Sequence, residues 1–237
     1  MRWHGRTALR NIGWAVILTG LPRASGAETT ANEPWPELDA FININQVVRL
    51  VIPISIDRHD DTLARNASFG LQFDFALKPV FRRELRNQED VFKKRFLSFR
   101  TGYRYTTTLN DHAPYTENRG IVELTARYLL PAEMVLSDRN RGDLRFIAGQ
   151  NFSTRYRNKL QLERDFRIGQ FVFTPYTSEE VFYDTRYDIW NRNRTSAGVE
   201  VPFSPNFVLD AYYTRQNDSR STPPHTNVLG LKIELYY

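Results

Sequence analysis

The last nine residues alternate without a break. Leu229, Leu231, Ile233, Leu235 and Tyr237 hold one phase, and Gly230, Lys232, Glu234 and Tyr236 hold the other. That is the pattern of a β-strand with two unlike faces, because successive side chains leave a strand on opposite sides. It recurs upstream. Phe69, Leu71, Phe73, Phe75 and Leu77 alternate with Gly70, Gln72, Asp74, Ala76 and Lys78, and Leu97, Phe99, Thr101, Tyr103 and Tyr105 with Ser98, Arg100, Gly102 and Arg104. Val122, Leu124, Ala126, Tyr128 and Leu130 alternate with Glu123, Thr125 and Arg127, and Phe207, Leu209, Ala211 and Tyr213 with Val208, Asp210 and Tyr212. Such segments build an all-β chain, a barrel or a sandwich. An aromatic content of 14% and a mean hydropathy of -0.52 suit strands with one polar and one aromatic face.

Periodicity does not say which face is inside. A soluble barrel buries its apolar phase, whereas a membrane barrel turns it to lipid and has a polar interior. Export favours the second. Residues 1–27 read as a secretory signal peptide: Arg2, Arg6 and Arg10 form a basic start, Ile12 to Leu21 a short apolar run, and Ser25-Gly26-Ala27 a small-residue cleavage site. The apolar run is too short to span a bilayer. Its removal takes four arginines and no acid. The chain then holds 28 basic and 27 acidic residues, the formal charge falls from +5 to +1, and the case for a nucleic-acid partner goes with it. The absence of cysteine excludes a disulfide framework, a thiolate zinc site and a cysteine nucleophile.

An exported chain whose terminal strand ends on an aromatic residue looks like a bacterial outer-membrane barrel. The assembly machinery is expected to read that strand and Tyr237. The expected fold is an antiparallel up-and-down transmembrane β-barrel of ten strands, with twelve as the alternative, in the outer membrane of a Gram-negative bacterium. Strands are placed near 38–57, 68–78, 95–108, 119–130, 135–149, 153–167, 169–182, 192–203, 206–216 and 226–237. Residues 28–37 are expected as a short periplasmic lead-in and 38–237 as one barrel domain. Outer-membrane barrels have short periplasmic turns and longer outer loops. Pro202 to Pro205, Arg167 to Gln170 and Pro131 to Met134 suit the turns, and Gln216 to Thr226, Tyr183 to Asn191 and Leu109 to Asn118 suit the loops. Two segments fit poorly. Pro79 to Lys94 is long for a periplasmic turn, and 38–57 is long for one crossing and contains Pro53, so it is one projecting strand or two. An odd strand count would bring the N-terminus to the wrong side.

With the Leu/Phe/Tyr phases toward lipid, the opposite phases make a charged lumen. Arg139, Arg141, Asp143 and Arg145 form one stripe, Arg155, Arg157, Lys159, Gln161 and Glu163 the next, and Arg192, Arg194, Ser196, Gly198 and Glu200 a third. Arginine suits such an interior because its planar fork pairs with carboxylates bidentately. The candidate lumen cations, and candidate anion ligands, are Arg104, Arg139, Arg141, Arg155, Arg157, Arg192 and Arg194. Their expected acidic partners are Glu163, Glu200, Asp210 and Glu234. Strand directions put Arg104, Arg155, Arg157, Arg192 and Arg194 toward the outer half and those acids toward the periplasmic half, a vertical charge separation. One reading is a filter for an anionic solute. Another is a self-satisfied ion-pair network filling a narrow barrel, and a third sets the outer arginines against lipopolysaccharide phosphates.

Catalytic signals are sparse. His59, His112 and His225 all fall in expected outer loops, and none has a serine two residues on. His225, near Ser219 and Ser221, is the candidate base of a lipid-modifying enzyme. Glu179-Glu180 and Asp60-Asp61 are adjacent, point to opposite faces of a strand, and read as solvated rim charge. There is no Gly-rich phosphate loop and no metal-ligand spacing, so neither cofactor nor metal is expected, and no catalytic residue is assigned. The expected function is structural, or that of a narrow passive pore. The alternatives are the lipid-modifying enzyme and a soluble periplasmic calycin-like binding barrel. The expected partners are outer-membrane lipids and lipopolysaccharide, with the chain a monomer.

Several stretches carry a resemblance. They are Trp35-Pro36-Glu37-Leu38-Asp39, Leu136-Ser137-Asp138-Arg139-Asn140-Arg141, Arg155-Tyr156-Arg157-Asn158-Lys159 with Glu163-Arg164, and Phe173-Thr174-Pro175-Tyr176. Phe182-Tyr183-Asp184, Trp190-Asn191-Arg192-Asn193-Arg194, Tyr212-Tyr213 and Gln216-Asn217-Asp218 complete the set. In this order they resemble a bacterial family of exported β-barrels, a domain of unknown function. The resemblance implies an outer-membrane location and brings no substrate, cofactor or catalytic residue.

Overall fold

The computed structural model describes residues 30–58, 65–77, 92–93, 95–109 and 115–237. They form twelve strands: β1 (Thr30–Asn43), β2 (Val48–Arg58), β3 (Arg65–Leu77), β4 (Leu97–Thr108), β5 (Thr116–Leu129), β6 (Met134–Ile147), β7 (Ser153–Arg164), β8 (Phe166–Ile168), β9 (Phe171–Asp184), β10 (Ile189–Ser204), β11 (Phe207–Asp218) and β12 (His225–Tyr236). A short 3-10 turn, Pro131–Glu133, joins β5 to β6. Each strand pairs with its chain neighbour, except that β7 pairs with β9 and the three-residue β8 forms a side ladder on β9 alone. The sheet closes where β1 lies parallel to β12, from Thr30 beside His225 to Phe41 beside Tyr236. The result is a closed, eleven-strand mixed barrel.

The count departs from the expected ten because residues 38–57 are two strands. Val47 and Val48 donate their backbone N–H groups to Asn45 Oδ1, each at 2.8 Å, and this side-chain turn reverses the chain over Ile44–Val47. β1 also starts at Thr30, so residues 30–37, expected as a lead-in, are part of the wall. Eleven staves cannot alternate direction all the way round. One seam must be parallel, and it is the one between the first and last strands. Thr30 therefore sits at the end of the barrel opposite Tyr237. Residues 1–27, read as a signal peptide, lie outside the described residues, as do His59, His112 and Asp60-Asp61.

Five connections, those following β2, β4, β6, β9 and β11, share one end, the loop end; the turns after β1, β5, β7 and β10 share the other. The expected length difference largely disappears. β11 continues to Asp218, β12 starts at His225, and β9 and β10 run to Asp184 and from Ile189, which reduces the loops to 219–224 and 185–188. Polar residues carry these strands onward because each finds a ladder partner, as Arg192 does in Asp218 and Asn217 in His225.

The facing is uniform. Phe69, Leu71, Phe73, Val122, Leu124, Tyr213, Leu229 and Leu231 are exposed on the outside, whereas Gln72, Asp74, Glu123, Thr125, Asp210, Thr214 and Glu234, one residue away in phase, are buried inside. The barrel is apolar without and charged within.

Candidate functional site

The wall from β5 to β9 holds a continuous lattice of ion pairs. Asp184 takes Arg155 Nη2 and Arg145 Nη1, each at 2.8 Å. Arg145 also reaches Glu117 at 2.6 Å, and Glu117 takes Arg119 at 2.5 Å. Asp143 receives Arg141 at 2.7 Å, Arg157 at 3.8 Å and Arg119 at 4.0 Å. Glu180 holds Arg139 at 2.6 Å and Arg157 at 2.8 Å, and Glu123 closes the circuit to Arg139 and Arg141, both at 3.8 Å. Six arginines thus share five carboxylates. Sharing follows from the sequence: alternation places cations opposite cations, Arg119 facing Arg145, Arg141 facing Arg157 and Arg139 facing Lys159 across adjacent strands. Like charges directly opposed are destabilising, so each carboxylate bridges two or three of them. Phe182, 1% exposed, gives Arg157, Arg194 and Arg192 an aromatic surface at 4.7, 5.0 and 5.4 Å.

The turn end has separate clusters. Asp74 joins Arg49 at 2.7 Å to Arg100 at 2.5 Å, and Lys232 lies between Asp210 at 3.3 Å and Glu234 at 3.0 Å. The segment before β4 folds back into the barrel. Phe92 packs on the Arg49 guanidinium at 4.1 Å, and Lys93 meets Glu200 at 2.6 Å. That is where the last part of the poorly fitting connection goes. Burial works against the Lys93 ammonium, but the carboxylates of Glu200 and Glu234 outweigh it and hold its pKa above the ordinary lysine value. At the loop end Tyr115 donates to Glu117 at 2.7 Å, and burial together with that carboxylate raises its phenol pKa.

All seven candidate arginines face the lumen, as do Glu200, Asp210 and Glu234. The pairings differ from expectation. Among the described residues Glu200 takes Lys93, Asp210 takes Lys232 and Tyr176, Glu234 takes Lys232 and Tyr236, and Glu163 accepts from Gln161 at 2.7 Å. Five of the seven candidate arginines rest instead on Glu123, Asp143, Glu180, Asp184 and Asp218, while Arg194 donates to the Gln216 amide oxygen at 2.7 Å. The vertical charge separation dissolves accordingly, because acids stand among the loop-end arginines and Arg49, Arg100, Lys93 and Lys232 among the turn-end acids. Glu180, read as rim charge, is buried at the centre of the lattice; only Glu179 points outward, where it accepts from Asn193 and Thr195. Phase alone could have found these acids, since each shares the parity of a lumen arginine on its own or the adjoining strand.

A cavity of about 440 Å3 runs between these groups, its walls reaching from Asn66 and Arg192 near the loop end to Phe41 and Tyr236 near the turn end. Among the described residues fifteen basic and eight acidic side chains line it, while Asp74, Glu123, Asp143, Asp184 and Asp218 are buried in the wall behind. The surface a solute would meet is therefore more cationic than the wall as a whole. At the loop end a crevice of about 30 Å3 sets five of the described arginines, Arg145, Arg155, Arg186, Arg192 and Arg220, beside the carboxylate of Asp218. His225 Nδ1 lies 2.8 Å from Asn217 Oδ1, and the Ser219 hydroxyl donates to the Asn191 carbonyl at 3.3 Å.

The exterior carries aromatic clusters near both ends. Tyr156, Tyr183 and Trp190 meet edge to face near the loop end, and Phe166, Phe171 and Phe173 stack near the turn end. A polar ladder crosses the exterior of β6 to β11. Its members satisfy one another: Asp138 accepts from Asn158 at 2.7 Å and Asn140 at 3.1 Å, and Asn217 donates to Asn193 at 3.1 Å.

The family model described as a protein of unknown function, DUF2490, matches residues 69–227, from β3 into β12. No curated protein and no solved structure matches the chain.

Proposed function

The chain belongs to the DUF2490 family of proteins of unknown function, and from that premise we propose that it is an outer-membrane β-barrel whose narrow, ion-paired lumen favours small anions. The observation that carries the reading is the inverted facing. Exposed Phe, Leu, Tyr and Trp cover the outside of a closed barrel whose interior holds the buried Arg, Asp and Glu. In water that arrangement wastes the hydrophobic effect and desolvates charges for no return; in lipid both halves are favourable. The barrel strands, apart from β8, are 11 to 16 residues long, enough to cross a bilayer when tilted, for which about 9–11 suffice. The aromatic clusters near the two ends match the interfacial girdles of membrane barrels. The signal peptide and the terminal strand ending at Tyr237 supply the export and assembly routes, and lipid and lipopolysaccharide the surroundings.

Anion preference follows from the lining, with its excess of guanidinium over carboxylate. The cavity is too slender for a porin-like bore, so the barrel is chiefly a rigid, self-neutralised wall with a restricted path through it. Cell fractionation followed by gel electrophoresis with and without boiling tests the reading. An outer-membrane band that shifts on heating is expected. A soluble periplasmic protein without a shift contradicts it and makes the polar cavity that of a binding barrel.

A further inference from the structure

We propose that Arg104 and Gln72 form an oxyanion site in the lumen wall, taking the carboxylate or phosphate group of a small solute; this rests on the anion-favouring lumen argued above. β3 and β4 build it. Gly70 and Gly102 face the lumen on these two strands, where no side chain fits: a Cβ on Gly70 would lie 2.8 Å from Pro53 Cγ, and one on Gly102 2.4 Å from the Leu71 carbonyl oxygen. The wall is bare backbone there, and the Gln72 side chain lies across it, its Nε2 3.2 Å from the Gly70 Cβ position and its Cγ 2.8 Å from that of Gly102. The β2–β3 ladder also lapses between Val51 and Ile54, at Pro53, which has no N–H to donate.

Gln72 is 1% exposed and lines the cavity, yet among the described residues neither its amide nitrogen nor its oxygen has a hydrogen-bond partner. Buried polar groups are rarely left so. Arg104 stands next to it, opposite Gly70 on one side and opposite Arg119 on the other. Among the described residues Arg104 makes no ion pair, and its Nε is buried and unbonded. The neighbouring guanidiniums are already engaged, Arg119 with Glu117 and Asp143, and Arg141 with Asp143 and Glu123. Among the described residues the lattice carboxylates beside Arg104 are held by other arginines, and Asp39 and Glu37 act on it only from beyond ion-pair distance. Water would satisfy the Gln72 amide but would not neutralise Arg104. An oxyanion does both, accepting from the guanidinium and from the amide N–H groups.

The test titrates inorganic phosphate and, separately, acetate against chloride at constant ionic strength, following thermal unfolding of the detergent-purified protein by circular dichroism. A saturable rise in the unfolding midpoint with at least one of them is expected. Arg104→Gln should raise the half-saturating concentration at least about tenfold, the scale of a lost charge-assisted contact. Gln72→Leu should weaken binding in the same direction. Lys159→Gln, which removes another cavity-lining cation, should change it less than about threefold. In chloride alone Arg104→Gln should unfold no earlier than the parent, because it removes a charge without orphaning a partner. The proposal is overturned if neither anion protects, if Arg104→Gln binds unchanged, if Lys159→Gln weakens binding as much as Arg104→Gln, or if Arg104→Gln is destabilised in chloride. None of these outcomes depends on the heat-shift test, so the site and the membrane reading can fail separately.

Discussion

Asp143 answers three guanidiniums, and its side chain is wholly buried. Asp143→Asn keeps the shape but leaves Arg141 without its closest counter-ion and Arg119 and Arg157 under-neutralised. Breaking a buried pair from one side typically costs about 3–5 kcal/mol, and a loss at the upper end of that range is expected, read as a fall in the denaturant midpoint. Arg104→Gln in the same assay should cost nothing. The contrast separates a wall held by its carboxylates from one held by its arginines. The inward arginines were legible in the sequence, since alternation assigns them. Their partners were not, because pairing depends on the register and tilt between strands, which no single strand's pattern contains.

At the scale of the element, the sequence reading succeeded where a strand ends on turn residues and failed where it does not. Ile42-Asn43-Ile44-Asn45 continues an apolar–polar alternation straight through the β1–β2 turn, with no Gly or Pro to mark it. The turn is made by the Asn45 side chain, which alternation does not mark, so the sequence leaves 38–57 open between one projecting strand and two. Pro53, which suggested a break, sits instead inside β2 at a gap in the ladder. The seam between β11 and β12 depends on a close fit. Tyr212 lies over Gly230, where a Cβ would come 2.0 Å from Tyr212 Cζ, and its hydroxyl donates to Glu37 of β1. Gly230→Ala therefore has to displace Tyr212 and that bond. A destabilisation of about 1–3 kcal/mol is expected, the usual cost of overpacking, with a lowered refolding yield as a second readout. Alternation alone does not separate the exterior polar ladder on β6 to β11 from the apolar outward phase, and its mutual hydrogen bonds make it compatible with a low-dielectric setting.

For the molecule as a whole, the lumen's composition should be visible in transport. In planar bilayers the protein should show small conductances with a reversal potential displaced toward anions. Neutralising Arg157 and Arg194 together should move that potential toward cations; conductance with unchanged selectivity would show that the arginine lining does not select. The most direct measurement of the central claim, that the apolar phase faces lipid, uses the absence of native cysteine. Single cysteines placed at Val122, Glu123, Leu124, Thr125, Leu229 and Leu231 can each carry a fluorophore and be challenged with lipid-borne and water-borne quenchers. Quenching by lipid at Val122, Leu124, Leu229 and Leu231, with protection from it at Glu123 and Thr125, is the predicted result. Water-borne quenching at the four apolar positions, with none from lipid, would contradict a membrane barrel.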